Sequence, residues 1–257
     1  MSEILHLSYS SVSRYTTCAR QWRYKYIDKL PDPPSASLKL GSAVHAVIEQ
    51  VITDRVEGKT SSPATLFAER WQEEIADPAI KWNGDLPEAI GNEGLRMVTC
   101  KATLETIEKL QPLVSDGKLI IEQRVELHVP GVPVPIVGYI DLVGVDGVPH
   151  DFKTSAFSWN QEKAAAETQP LFYLAALNQA GISSHGYRFR HVVLVKTKTP
   201  QAQILETQHR IGELFWLFEM VQAVWKGIEA GHFPMSPGAW SCNEKYCSYW
   251  NVCRGKA

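Results

Sequence analysis

The chain has 257 residues, 44% hydrophobic and 21% charged, which is the composition of an ordinary globular protein long enough to bury a substantial core. Its formal charge of −2, from 26 Lys+Arg against 28 Asp+Glu, argues against coating duplex DNA by bulk attraction but leaves room for a local basic channel. The opening MSEILHLSYS has no basic stretch ahead of an apolar run, and nothing approaches the ~20 apolar residues of a membrane span, so a cytoplasmic setting is expected.

Residues 8–26 predict a first helix carrying Arg14, Arg20, Arg23, Lys25 and Lys29 just beyond it, interleaved with Tyr15, Trp22, Tyr24 and Tyr26. That mixture suits either a solvated helix face or a surface that tracks a nucleic-acid strand. Asp32-Pro33-Pro34-Ser35 breaks the chain, because consecutive prolines remove amide donors. A second helix from about residue 38 would place Gly41, His45 and Glu49 four apart on one face. Further helical patterns cover 64–76 and 88–110.

The pattern then changes to strands over 119–129, 134–145 and 148–154, the last two joined by a turn at Asp146-Gly147. A helix is expected over 161–180, strands over 188–196 and 202–207, and a closing helix over 211–230 with Leu214, Phe218, Val221 and Trp225 as its apolar stripe. Helices, a three-strand meander, a crossover helix, two strands and a closing helix make an α/β fold with a mixed sheet between helices. A single domain over 1–257, with 50–115 as a helical insertion, is the expected organisation.

Asp151 and Lys153 are two apart and share a face if the segment is extended, while Phe152 turns inward and leaves its carbonyl near the acidic side. The turn at Asp146-Gly147 can set Asp141 opposite. Two carboxylates and a carbonyl suit Mg²⁺ or Mn²⁺, and an imidazole from His45 would tilt the preference toward Mn²⁺. Such an ion polarises a phosphodiester and helps generate hydroxide, with Lys153 stabilising charge on the phosphate or orienting the water. Gln169 and Tyr173, at i and i+4, could reach the same cleft, and Glu49 is a weaker ligand candidate. The plainer alternative is a pair of carboxylates bridged to Lys153.

Five cysteines without an export signal do not suggest a disulfide framework. Cys100 falls in a helical pattern and reads as a small buried side chain. Cys18, Cys242, Cys247 and Cys253 remain, and their spacings include no Cys-x2-Cys hook. Four thiolates suit an iron–sulfur cluster or a structural zinc, in a structural role, since hydrolysis moves no electrons. Tyr9, Trp240, Tyr246, Tyr249 and Trp250 around them are expected to shield the site, with base stacking as the other use.

Gly41-x3-His45, Gly138-x2-Asp141, Asp151-x-Lys153 and Gln169-x3-Tyr173, in that order, resemble the PD-(D/E)XK nuclease superfamily and its RecB-like branch. The four cysteines resemble its iron–sulfur members, among them AddB-type nuclease domains and CRISPR-associated single-strand exonucleases. The resemblance implies a restriction-endonuclease-like central mixed β-sheet flanked by helices, with an N-terminal helical region. It implies His45, Asp141, Asp151 and the Phe152 carbonyl as ligands of Mg²⁺ or Mn²⁺. Asp141, Asp151, Lys153, Gln169 and Tyr173 would be the catalytic set. A [4Fe–4S] cluster on Cys18 and the 238–253 segment (Cys242, Cys247, Cys253) would staple the termini. Asp151 stands where this branch often has glutamate. The implied activity is a DNA exonuclease on single-stranded ends, in repair and recombination, phage replication or CRISPR adaptation, with a separate helicase or recombination partner. Arg14, Arg20 and Arg23 are the candidate DNA contacts. A non-catalytic DNA-binding scaffold and an endonuclease with the same core are the alternatives.

Overall fold

The computed structural model describes residues 4–256 apart from 116 and 183–185. Its helices are α1 (Tyr9–Thr17), α2 (Ala19–Tyr26), α3 (Ala36–Val56), α4 (Pro63–Ile75), α5 (Pro87–Thr99), α6 (Lys101–Lys109), α7 (Gln161–Ala166), α8 (Gln169–Gln179), α9 (Ile211–Glu229) and α10 (Trp250–Cys253). Its strands are β1 (Val114–Ser115), β2 (Lys118–Leu119), β3 (Ile121–Leu127), β4 (Ile136–Val143), β5 (Pro149–Ser155), β6 (Arg188–Val195) and β7 (Gln201–Gln208). Contacts group the chain into two compact units: one of residues 1–33, 125–138 and 211–257, the other of 34–124 and 139–210.

A five-stranded sheet runs in the order β3-β4-β5-β6-β7. β4 and β5 pair antiparallel, β5 and β6 parallel, and β6 and β7 antiparallel, so the sheet is mixed. The parallel pair demands a crossover, which α7 and α8 supply. β1 and β2 form a separate small hairpin. A mixed sheet flanked by helices is the architecture expected from the element order, and it is consistent with a restriction-endonuclease-like fold.

Within the second unit, strand alternation divides the sheet's two faces. Phe152, Val192 and Leu194 join α3 residues Leu40, Val44, Val47, Ile48 and Ile52 in one core cluster, with Phe67, Trp71 and Met97 from α4 and α5. Val193 and Val195 alternate to the opposite side and pack with Trp159 and Ala164. The buried positions of α3 recur every three or four residues, the stripe of a helix lying on a sheet. Its start is set by Ser35, whose hydroxyl accepts from the Leu38 amide. Gly94 lets α5 close on its neighbours: a methyl there would sit 2.2 Å from Phe67 Cζ and 2.5 Å from a Leu40 methyl.

Within the first unit, the segment after α9 is sewn to α1 and α2. Tyr15 donates to the His232 carbonyl at 2.6 Å, Arg20 Nε to the Phe233 carbonyl at 3.0 Å, and Trp22 stacks on Phe233 at 5.8 Å. The apolar stripe of α9 is Leu214, Leu217, Val221, Val224, Trp225 and Ile228, while Phe218 is half-buried.

Three predicted helices are each two. The helix expected over 8–26 breaks at Cys18, which is extended at φ −160°, ψ 103°. Thr16 and Thr17 ahead of it are β-branched and hold a helix weakly. The helix expected over 88–110 breaks at Cys100, also extended, and that thiol is half-buried beside the Thr103 hydroxyl at 3.2 Å. The helix expected over 161–180 breaks at residues 167–168, because Pro170 has no amide to donate and its ring would strike the carbonyl four residues back.

Candidate functional site

The second unit gathers the acidic and basic residues at β4, β5, α3 and α8. The Phe152 amide donates to Asp141 Oδ2 at 2.5 Å, which ties the carboxylate on β4 to the backbone of β5. His45 Nδ1 lies 3.8 Å from the same oxygen, and the ring stands edge-on to Phe152 at 6.0 Å. Glu49, one turn further along α3, completes a group: one ligand atom each from His45, Glu49 and Asp141 lies within 4.8 Å of the others. That spacing fits a single divalent ion, and one nitrogen with two carboxylates is a donor set for such an ion.

Asp151 is not within that tight group. Its Oδ2 lies 2.6 Å from Lys153 Nζ, an ion pair whose angle is not that of a hydrogen bond, so the buried oxygen keeps no aligned donor. Lys153 instead donates to Gln169 Oε1 at 2.7 Å, and Gln169 Nε2 donates to the Tyr173 hydroxyl at 2.9 Å. Lys153, Gln169 and Tyr173 thus form one relay beside Asp151. Asp151, Lys153, Gln169 and Tyr173 lie together on this side of the site, and His45, Glu49 and Asp141 on the other.

Charges here are held under tension. Burial pushes the Asp141 carboxyl well above its usual range, and the Asp151 charge adds to the shift against the Phe152 amide and Lys153. Burial raises Glu49 to about 9, helped by a hydrogen bond and charge from Glu122 and by Asp141. Burial lowers His45 to about 4, with Asp151 opposing and Lys153 assisting. Burial would lower Lys153 too, but the close negative charge of Asp151, with Asp141 adding to it, outweighs it and holds the ammonium protonated. Tyr173 is raised by burial and by Asp151, which keeps its hydroxyl proton in place. A divalent cation would favour ionisation of these carboxyls, and an imidazole already neutral is in the form that ligates one.

Glu122 was not visible in the sequence as a site residue. It sits at φ 48°, left-handed for a non-glycine, and its carboxyl meets Glu49. His191 was also missed: it is fully buried in register with Asp151 on the adjacent strand. Neither lies in a sequence motif: strand pairing brings His191 beside Asp151, and the folding of α3 against the sheet brings Glu49 to Glu122. A groove of about 680 Å³ runs along α3 past Glu49 and Glu122, with Gln50, Thr53, Arg70 and Lys118 among its walls.

A profile of the PD-(D/E)XK nuclease superfamily matches residues 6–254. The chain belongs to the PD-(D/E)XK nuclease superfamily. Among solved structures it is similar to a candidate exonuclease from Eubacterium rectale, with a TM-score of 0.59 and 11% identity over 98% of this chain and 88% of that one. At that identity the likeness speaks for the fold alone. A protein named SSO0001 aligns at 13% identity over 96% of both chains with a TM-score of 0.39, too loose to argue from. Among curated proteins none matches the chain. Nucleases of this superfamily use divalent metals, and His45, Glu49 and Asp141 are the residues here spaced to take one.

In this nuclease the remaining predicted residues belong to the first unit. Cys18 and Cys247 are buried and Cys242 and Cys253 half-buried. Burial pushes the Cys247 thiol up, and the charges of Cys18, Cys242 and Cys253 push it further, so the four share one neighbourhood. Among the described residues, however, the cysteine sulfurs do not converge to the spacing of a single-ion site. Tyr249 is buried as a shielding role requires, but Trp240 and Tyr246 face outward at 75% and 56% exposure, against the expected shielding. Arg14 pairs with Asp32 at 3.0 Å, Arg23 with Asp28 at 3.2 Å, and Arg20 is spent on the Phe233 carbonyl. No helix among the described residues is long and apolar enough to cross a membrane.

Proposed function

We propose that the chain is a divalent-metal-dependent DNA exonuclease that hydrolyses phosphodiester bonds at single-stranded ends. The observation that carries this reading is the joining of the His45–Glu49–Asp141 group to the Asp151–Lys153–Gln169 set in one unit. His45, Glu49 and Asp141 would hold Mg²⁺ or Mn²⁺, with Asp151 and the Phe152 carbonyl as further oxygens. When bound, the ion supplies Lewis-acid polarisation of the phosphate and lowers the pKa of the attacking water.

The chain's own groups do the rest. Lys153 stays charged beside Asp151, so it can stabilise the extra negative charge that builds on the phosphate oxygens. Gln169 accepts from Lys153 and donates to Tyr173, which fixes the ammonium's direction before substrate arrives. Tyr173 keeps its proton and offers it to the nucleic-acid backbone. His45, held neutral by burial, is ready as a ligand without first losing a proton.

In the other unit, Cys18, Cys242, Cys247 and Cys253 would hold a [4Fe–4S] cluster in a structural role. A tetrahedral zinc needs its sulfurs roughly 3.8 Å apart, given Zn–S bonds of about 2.3 Å. Sulfurs that share a neighbourhood without reaching that spacing suit the wider corners of a cubane better. Cytoplasmic residence and a separate helicase or recombination partner complete the reading, with Arg14, Arg20 and Arg23 as DNA contacts once their present partners are exchanged.

The deciding experiment incubates anaerobically purified protein and its Lys153→Ala variant with end-labelled linear and covalently closed single-stranded DNA, with and without Mn²⁺. Metal-dependent shortening of the linear strand alone, lost in the variant, is the expected result. Cleavage of the closed circle would make the enzyme an endonuclease, and DNA left intact under all conditions would defeat the nuclease reading.

A further inference from the structure

β6 carries His191 in register with Asp151 of β5, and in-register residues of parallel neighbours project from the same face. The imidazole is fully buried between Trp159 and Phe189, at ring distances of 5.3 and 5.1 Å. Both its nitrogens are buried without a hydrogen-bond partner, and so is Oδ2 of Asp151. Neutral imidazole has one donor and one acceptor, and an unmet polar group inside a protein costs roughly 1–3 kcal/mol. A leucine or phenylalanine would fill the space between two aromatic rings without that cost. The negative charge of Asp151 reaches the ring and acts on it, with Lys153 and His209 opposing.

An imidazole with no partner and a carboxylate oxygen that has only the Lys153 ion pair, on adjacent strands and facing the same way, can bond each other. A neutral histidine donates where a carboxylate oxygen accepts, and a buried water spans the gap when the two do not touch directly. We infer that His191 is a positioning residue for Asp151: its ring N–H holds the buried carboxylate oxygen through a bridging water and so fixes the rotation of the carboxylate. Carboxylates and imidazoles behind metal ligands serve this purpose widely, because a ligand free to rotate binds its ion less well. The inference rests on the nuclease reading only in taking Asp151 as a carboxylate that serves the metal.

The test uses the full chain and two readouts besides cleavage. His191→Phe keeps an aromatic ring and removes both nitrogens, so it should melt no lower than the parent yet bind Mn²⁺ about 10- to 100-fold more weakly. His191→Gln restores a donor and an acceptor and should recover most of that loss. Independently of metal, the imidazole ¹⁵N signals of His191 should move on Asp151→Asn, since the group at the far side of the water changes. Mn²⁺ affinity within about twofold of the parent in His191→Phe, together with unmoved ¹⁵N signals, would reduce His191 to a space-filling ring. Should His191→Phe fail to fold, the glutamine variant and the ¹⁵N signals decide between the two roles. A parent chain that binds no Mn²⁺ would count against the nuclease reading, whereas the metal-free ¹⁵N result would still decide the role of His191.

Discussion

Replacing Glu49 by glutamine separates a metal ligand from a passive buried acid, because the two roles differ in how affinity depends on pH. Glu49 sits at about 9 instead of its ordinary 4.5, so near neutrality the apo site carries its proton. To ligate an ion it must release that proton, at a cost of about 1.4 kcal/mol for each pH unit below its pKa, or about 3 kcal/mol at pH 7. His45, at about 4, is already neutral and releases nothing in that range. Asp141 is also raised, so the parent should release between one and two protons on binding. Mn²⁺ affinity should therefore rise at least tenfold per unit from about pH 6 to about pH 8. In Glu49→Gln the slope should fall by about one proton, and the two affinities should converge as pH drops. Isothermal titration in two buffers of different ionisation enthalpy counts the protons directly. Equal slopes in parent and variant, or an affinity flat across the range, would refute the argument.

Other consequences are equally open to measurement. Lys153→Met should fold and bind Mn²⁺ but cleave at least about 100-fold more slowly, as loss of one well-placed positive group on a developing oxyanion does, which single-turnover kinetics will read. Gly94→Ala should lower the melting temperature, since its methyl would stand 2.2 Å from Phe67 and overpacking of this kind costs about 1–3 kcal/mol. His45, His150 and His191 are all lowered to about 4, so the unfolded chain takes up three protons below about pH 6.5 that the native chain refuses until near pH 4. Glu49 holds its proton in the native state over the same range and cancels one of them, and the raised Asp141 works in the same direction. Stability of the apo chain should then fall by about 1–3 kcal/mol per unit between about pH 6.5 and about pH 4.5, measured by urea unfolding, and a rise instead would overturn it. Anaerobic protein should carry about four irons per chain, lost in Cys18→Ser and kept in Cys100→Ser, as iron and visible absorbance will show.

What was legible in the sequence follows from local rules. The i, i+2 spacing of Asp151 and Lys153 and the i, i+4 spacing of His45 and Glu49 are properties of a strand and a helix alone, and the residues lie on β5 and α3 as expected. Breaks at Cys18 and Cys100 were not legible, because neither has a proline or glycine to announce it. The break before Pro170 could have been read from the proline itself.

The electrostatics of the site were beyond such rules for a different reason. The carboxyl of Glu49 is raised by burial and then by Glu122, 73 positions away, and Asp151 stands in register with His191, 40 positions away; both relations exist only in the folded chain. A sequence motif records which side chains can ligate, and here it pointed to Asp151 as a ligand on equal terms with Asp141. The fold divides them: Asp141 is tied to the Phe152 amide within the His45–Glu49 group, while Asp151 is drawn toward Lys153. In the proposed nuclease the carboxylate nearest the lysine would keep it charged, and the raised carboxyls nearest the histidine would give up their protons to a bound cation. The two sides stay coupled, because the Asp151 charge that holds Lys153 protonated also raises Asp141.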